Sequence, residues 1–341
     1  MDGTFGAQST LLSNASLSEF VDLTRRSWVT NQEHIARNAR QLFIEDTVEG
    51  SSKRYNEVDT STYADTKVEG ADSLKARVGT GYFMDLNLKT VSKEIDITLE
   101  MRQDNRYPEV KGLVTGLNEF CDNRMDLDLT HRFTFAGDTS YTDMNGNTIT
   151  TEVGDGLALG SASHTLAFSA TTFNNLVTGG PAFSESSLES AMLIAATQIF
   201  SNFGEKRNMN FNTIVTGNDP GTVRTVRQIL ESTADVDAAQ AGVKNVYSGE
   251  FNHVILPNLA TTAVGAYNSA KRRYWALVAA NQGINGWQAY LGVKQAPTLV
   301  TPSSGSNGED IHNFNWTFSA YSRYGIVTVS PKGVVVSLVV S

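Results

Sequence analysis

The chain has 341 residues, 40% of them hydrophobic, and a mean hydropathy of −0.23, enough for one large domain or two moderate ones with a real core. Its formal net charge of −9 argues against a protein whose main task is to grip nucleic acid, because phosphates are neutralised by clustered Lys and Arg. A single cysteine, Cys121, excludes an internal disulfide framework and a cysteine-based zinc cluster.

No basic stretch followed by an apolar run opens the sequence, and no apolar run reaches the roughly 18 residues of a membrane span. Neither a secretory signal nor membrane association is expected, and synthesis in the cytosol is. Residues 1–16 are small and polar and read as a flexible arm. From Leu17 to about Glu49 the apolar positions Phe20, Val21, Trp28, Ile35, Ala39, Leu42 and Phe43 recur at spacings of three and four, which predicts a helix. Residues 1–49 form the first block, an N-terminal arm and helix.

Residues 47–101 carry 17 charged side chains in 55 positions, too many for the first half to build a core. In the second half the residues alternate: Tyr82, Met84, Leu86 and Leu88 at even positions, then Ile95, Ile97, Leu99 and Met101 at odd ones. Period-two alternation marks strands with one buried face, and the change of phase after Leu88 predicts a bulge or bend. Residues 50–101 are therefore expected to form a polar, projecting, two-stranded arm. An isolated hairpin is marginal in water, so a neighbouring chain is expected to hold it, with Tyr82, Met84, Leu86 and Leu88 as the contact candidates. Replacing residues 56–90 by a short linker is then expected to leave a folded body.

Pro108 opens the clearest helix, a rod continuing through Val110, Leu113, Val114, Leu117, Cys121, Met125 and Leu129 to Arg132, within the block 102–135. Between Phe133 and Glu205 there is no Lys or Arg but seven acids, among them Asp138, Asp143, Glu152 and Asp155, which are expected near subunit contacts or an enclosed lumen. Asn145-Gly146 is a hairpin signal. Ser186-x-x-Glu189 reads as a capping box for a helix through Leu188, Met192, Ala195, Ala196, Ile199 and Phe203 to Gly204. A strand around Phe211–Val215 precedes a helix capped by Asp219 with Pro220 first in it. The remainder reads as strands at Val254–Leu256, Tyr274–Ala280, Trp287–Val293, Phe314–Ser319, Tyr324–Val329 and Val334–Val340, turning at Ser330–Gly333. The blocks here are 136–300 and the C-terminal strands, 301–341.

Chemical motifs are sparse. Gly79-x-Gly81 and Gly154-x-Gly156 lack the glycine spacing of a phosphate loop. The histidines His34, His131, His164, His253 and His312 offer no pair at three or four residues' spacing for a metal. Cys121 lies on the apolar stripe of the long helix and reads as packing. Asp155, Ser161 and His164 could be offered as a hydrolytic triad, but ten consecutive residues rarely achieve that geometry. Lys271-Arg272-Arg273 reads as a surface turn or salt-bridge partner. No catalytic residue, metal or cofactor is expected.

The order of parts (flexible arm, helix, polar hairpin, long rod, mixed α/β body) resembles the major capsid proteins of tailed bacteriophages, with their Hong Kong 97-type or Johnson fold. In that α+β fold the parts are the N-arm, E-loop, spine helix, peripheral domain and axial domain. Locally, Asp155-Gly156-x-x-Leu159-x-Ser161-x-x-His164 resembles a segment of Mu-like major head subunits, with Gly160 and Thr165 standing where that family has Phe and Pro. The resemblance implies a structural protein that self-assembles as hexamers and pentamers into an icosahedral head enclosing DNA without sequence-specific binding. It implies a virion capsid assembled in the host bacterial cytoplasm, working with a portal and decoration proteins. With about 16 residues before the first helix, a separate scaffold protein is expected. Family members that crosslink an E-loop lysine have candidates here in Lys53, Lys67 and Lys75, with no motif to choose among them. An encapsulin-type nanocompartment shell is the alternative, and a soluble hydrolase using His164 and Asp155 the remote one.

Overall fold

The computed structural model describes residues 21–339 apart from positions 23, 27, 30–36, 61, 74, 77, 105–106, 233–243, 284–285 and 303–314. The backbone is helical at its described positions between 21 and 29. The strands that follow are β1 (Ile44–Thr47), β2 (Ser52–Thr60), β3 (Val78–Asn87) and β4 (Lys89–Ile97), then the helices α1 (Leu99–Gln103) and α2 (Tyr107–Thr134). Next come β5 (Ser140–Thr142), β6 (Thr148–Thr150), β7 (His164–Thr165), β8 (Thr172–Phe173), α3 (Glu185–Thr197), β9 (Thr213–Gly217) and α4 (Pro220–Glu231). The chain closes with β10 (Asn252–Leu256), β11 (Trp275–Val278), β12 (Gln288–Val300), β13 (Trp316–Ser330) and β14 (Val334–Ser337). The result is a mixed α+β protein of two compact units, each assembled from segments far apart in sequence.

The first unit comprises Met1–Arg37, Leu88–Met125 and Val293–Tyr324. Its β4 pairs antiparallel with β13, from Trp316 opposite Ile97 to Tyr324 opposite Lys89. Side chains alternate across a strand, so Trp316, Phe318 and Ala320 share a face and meet Ile97. Leu117 and Cys121, one helical turn apart on α2, complete this core with Val21. At 28 residues, α2 is a rod about 42 Å long. Its Cys121 is fully buried, as its place on the apolar stripe predicts, and burial pushes the thiol up from its ordinary value.

The second unit comprises Asn38–Asn87, Asp126–Gly292 and Gly325–Ser341. Its main sheet runs β10-β9-β11-β14, with β10 and β9 parallel and the other pairs antiparallel. Strands β9, β11 and β14 are buried along their whole length, because α3 and α4 bring Leu188, Ala191, Val226 and Ile229 into one cluster with Ile214, Leu277 and Val335. Asp219 caps α4 by accepting from the Thr222 N–H at 3.0 Å, with Pro220 in the first turn as the sequence predicts. The Asn145-Gly146 signal is a real turn joining β5 and β6. Gly146 takes φ +81°, and Asp143 accepts the N–H groups of Asn145 and Asn147.

Several expected elements differ. The helix expected to Glu49 gives way to a 3-10 turn at Arg40–Leu42 and then β1, since Ile44–Thr47 alternates in burial; the positions 17–20, 23, 27 and 30–36 lie outside the described residues. The capping box sits two residues early, at Ser184 and Ser187, and α3 stops at Thr197, leaving Ile199 buried in the loop beyond. The two strands expected at Phe314–Ser319 and Tyr324–Val329 are one continuous β13, with Phe314 outside the described residues. The phase change after Leu88 is no bulge inside a hairpin: β3 pairs with β2, whereas β4 pairs with β13 in another sheet. The hairpin therefore ends at Asn87, and residues 89–101 are not part of the arm.

Candidate functional site

Strands β2 and β3 pair antiparallel, from Ser52 opposite Asn87 to Thr60 opposite Val78, with an irregularity between Asn56 and Val58. The described residues of the connection between the strands are exposed. Alternation gives the hairpin two faces. Tyr55, Glu57, Asp59 and Leu86 are buried, whereas Arg54, Asn56, Val58, Phe83 and Asp85 are exposed.

The inner face is anchored in its own unit. Leu86 is 1% exposed and fits because Gly292 and Gly325 have no side chain there: a Cβ on either would approach Leu86 Cδ atoms to 2.9 and 2.6 Å. The Tyr55 ring stacks on Tyr290 with centroids 4.3 Å apart and donates its hydroxyl to Asp46 at 2.6 Å. Lys53 and that hydroxyl hold the Asp46 carboxyl below its ordinary value.

Beneath the hairpin lies a buried polar cluster. Glu57 Oε1 accepts from Lys332 Nζ at 2.8 Å and from Ser330 Oγ at 2.9 Å, and its Oε2 accepts from Asn202 Nδ2 at 2.8 Å. Lys332 Nζ also donates to Asn202 Oδ1 at 2.7 Å and lies 3.4 Å from Asp59 Oδ2. Asp59 accepts from the Asn202 N–H and from Arg207 Nη1, both at 2.7 Å. Two carboxylates thus face two cations, a balance that burial requires. A Cβ on Gly81 would collide with Asn202 Nδ2 and Glu57, so a glycine is what lets β3 close over the cluster.

The outer face leaves apolar surface open. Phe83 is 52% exposed, Val58 43% and Val78 68%, with Tyr63 and Val68 exposed in the connection. Arg54 lies over the Phe83 ring at 4.2 Å and holds Asp85 through both guanidinium contacts, at 2.7 and 2.8 Å. Of the four contact candidates taken from the sequence, burial withdraws one and leaves the other three partly covered. Leu86 is consumed by the chain's own core, Tyr82 is partly covered and hydrogen-bonds Thr165 at 2.8 Å, and Met84 and Leu88 are half-buried. The open apolar row is the opposite face, which the sequence reading passed over because charged neighbours interrupt it. The linker replacement of 56–90 would remove Glu57, Asp59 and Leu86 and so part of the core. Of the lysine candidates, Lys53 is tied to Asp46, and Lys67 and Lys75 lie in the exposed connection.

The Asp155–His164 segment folds into a closed loop. His164 Nδ1 meets Asp155 Oδ2 at 2.8 Å and its Nε2 meets the Leu159 carbonyl at 3.2 Å, with the imidazole fully buried. Burial alone would raise the Asp155 carboxyl, but the His164 contact and the N–H groups of Leu157 and Thr165 hold it below its ordinary value. Gly156 takes φ +77°, buried Leu159 lends its carbonyl, and Ser161 binds through its N–H to Asn175 Oδ1 at 2.9 Å. A ring whose second nitrogen is capped by a backbone carbonyl is closed to substrate, which removes the geometric basis of the hydrolase alternative. Among the acids of the Lys-free stretch, Asp143 and Asp155 are likewise committed to turns of their own chain.

Lys271 donates to the Thr134 carbonyl at 2.8 Å and lies 3.6 Å from the Phe135 ring centroid, and Arg272 faces Asp219 at 3.9 Å. The basic triplet is thus partly internal. Among the described residues no cluster of three or more His, Cys, Asp or Glu could hold a metal, and no helix is long and apolar enough to cross a membrane.

No family model and no curated protein matches the sequence. Among solved structures the chain is similar to the capsid asymmetric unit of cyanophage Pam1, at 15% identity and a TM-score of 0.48, covering 88% of this chain and 91% of that one. It is similar also to a virus-like particle from Pyrococcus furiosus, at 11% identity and a TM-score of 0.46, covering 93% and 99%. The capsid of Ralstonia phage GP4 gives 13% identity and a TM-score of 0.45, with 86% of each chain covered.

Proposed function

We propose that this chain is a shell-forming structural protein, the major capsid protein of a tailed bacteriophage with a Hong Kong 97-type fold. The observation that carries the reading is the β2–β3 hairpin. Its inner face is fixed to the second unit by Leu86, Tyr55 and the Glu57–Asp59 cluster, while its outer face keeps Val58, Val78 and Phe83 exposed. A rigidly based arm with an uncovered apolar row suits a clasp for the next copy of the chain. The hairpin is followed by the continuous 28-residue helix α2 and a mixed α+β body, the order of parts in the resembled family.

On this reading the copies form hexamers and pentamers of an icosahedral head assembled in a bacterial host, around DNA that the net acidity keeps from adhering to the wall. A separate scaffold protein and a portal complete the assembly. The test is to purify the full chain and examine it by negative-stain microscopy and sedimentation. Closed shells or free capsomers are expected. A monomer that stays monomeric at high concentration and with scaffold supplied refutes the reading.

A further inference from the structure

The cluster beneath the hairpin is more than an ion pair. Glu57, Asn202 and Lys332 are 3%, 0% and 3% exposed, and the asparagine lies 145 and 130 residues from its two partners in sequence. A primary amine thus lies against the oxygen of a carboxamide at 2.7 Å, with one carboxylate touching both the amine at 2.8 Å and the amide nitrogen at 2.8 Å. These are a nucleophile, an electrophilic carbonyl and a proton carrier placed together away from water, the conditions under which an amide exchanges its amine.

We propose that Lys332 and Asn202 become joined by an isopeptide bond within the chain, with Glu57 carrying the protons. Glu57 Oε1 takes a proton from the Lys332 ammonium, and the freed Nζ lone pair attacks Asn202 Cγ, placing the developing charge on Oδ1. Glu57 passes that proton to Nδ2, which it contacts through Oε2. The Cγ–Nδ2 bond then breaks, its electron pair leaving with nitrogen as ammonia, while Nζ sheds its second proton through Glu57. One ammonium and one carboxamide go in; one secondary amide and one ammonium come out, and Glu57 ends as the carboxylate it began as. No oxidant or reductant takes part.

The surroundings suit the step. Asp59 faces both cations and pairs with Arg207 at 2.7 Å, so a counter-charge remains when Lys332 becomes neutral. Ser330 Oγ, 2.9 Å from Glu57 Oε1, holds the carboxylate in place. Gly81 allows β3 to cover the site, which keeps water from competing as nucleophile. The bond would tie the loop at Asn202 to the turn between β13 and β14, directly under the hairpin. The chemistry does not depend on what the chain assembles into.

The purified full chain, denatured for intact-mass measurement, is expected about 17 Da below its sequence mass, the loss of one ammonia. Trypsin is expected to leave Lys332 uncleaved, in a branched peptide that also contains Asn202. Lys332→Arg keeps a cation beside Glu57 and is expected to restore the full mass, as is Glu57→Gln. A wild-type chain at its full sequence mass overturns the proposal. So does the same mass loss without the branched peptide, which marks a succinimide instead. Both decisive readings come from the wild-type chain and stand even where a variant fails to fold.

Discussion

Asp155 Oδ2 and His164 Nδ1 lie 2.8 Å apart, both side chains out of solvent, across a loop whose ends are close in sequence. The spacing that makes a catalytic triad unattainable is the spacing a loop lock needs. Asp155→Asn leaves the buried ring facing a weaker partner and is expected to cost about 1.5–3 kcal/mol, the range for a hydrogen bond to a charged group. The pH dependence follows from the depressed Asp155 carboxyl. Its contribution is fully present above the ordinary carboxylate value and is lost as pH falls through the lowered folded value. Urea titrations at pH 7 and through the acid range should show the wild type losing stability there. Asp155→Asn should remove that part of the slope, and an unchanged slope would count against the lock.

Leu86 and Gly325 supply a second test, of packing. A Cβ at Gly325 would meet Leu86 Cδ2 and the Asn87 carbonyl oxygen, each at 2.6 Å, and a backbone oxygen cannot swing aside. Gly325→Ala is expected to destabilise by about 1–3 kcal/mol through overpacking. Leu86→Ala is expected to lose about 2–5 kcal/mol through the cavity it leaves. Chemical denaturation of both variants measures this. Near-neutral results at both positions would mean that the inner face of the hairpin is not seated as described.

The thiol of Cys121 is fully buried on α2 and pushed up by that burial, so little thiolate is present or reachable in the folded chain. A thiol-specific reagent at neutral pH is expected to react with less than about a tenth of the folded protein in the time that modifies all of it in urea. Fast reaction of the native chain would place α2 in a looser setting.

How much of this could be read from the sequence varied with the range of the forces involved. The long helix was legible because Leu117, Cys121, Met125 and Leu129 repeat every four residues, and α4 because Asp219 and Pro220 mark its start locally. The alternation of β3 and β4 was legible, but not that the two strands serve different sheets, since pairing with β2 or with β13 is decided by partners elsewhere in the chain. The early helix was over-extended because Leu42 and Phe43 fit a helical spacing that strand β1 overrides. The Glu57–Asn202–Lys332 cluster was missed. Its members come from three distant segments, and on β2 a buried Glu57 and Asp59 look, residue by residue, like one more solvated charged face.

The outer face of the hairpin carries the last prediction, which rests on the proposed capsid role. Phe83, Val58 and Val78 are exposed in the lone chain, so replacing them with serine removes little internal packing. The double variant Phe83→Ser/Val78→Ser is expected to shift folding stability by no more than about 0.5 kcal/mol per site, apart from the Arg54 contact that Phe83 makes. Covering such side chains in a neighbour's groove would remove roughly 50–100 Å² of apolar surface at each position, or about 1–2.5 kcal/mol per contact at 25 cal/mol per Å². Every 1.4 kcal/mol is about a tenfold change in an equilibrium constant, and a closed shell repeats the contact around each ring. The double variant should therefore raise the protein concentration needed for assembly at least about tenfold while its far-UV circular dichroism stays that of the wild type. Replacing residues 62–76 with a short Gly/Ser turn spares Glu57, Asp59 and Leu86 and asks the same question of the tip. Wild-type assembly by both variants, scored by light scattering and negative-stain microscopy, would show that the arm is not the clasp. Loss of folding in either would show that the outer face belongs to the core.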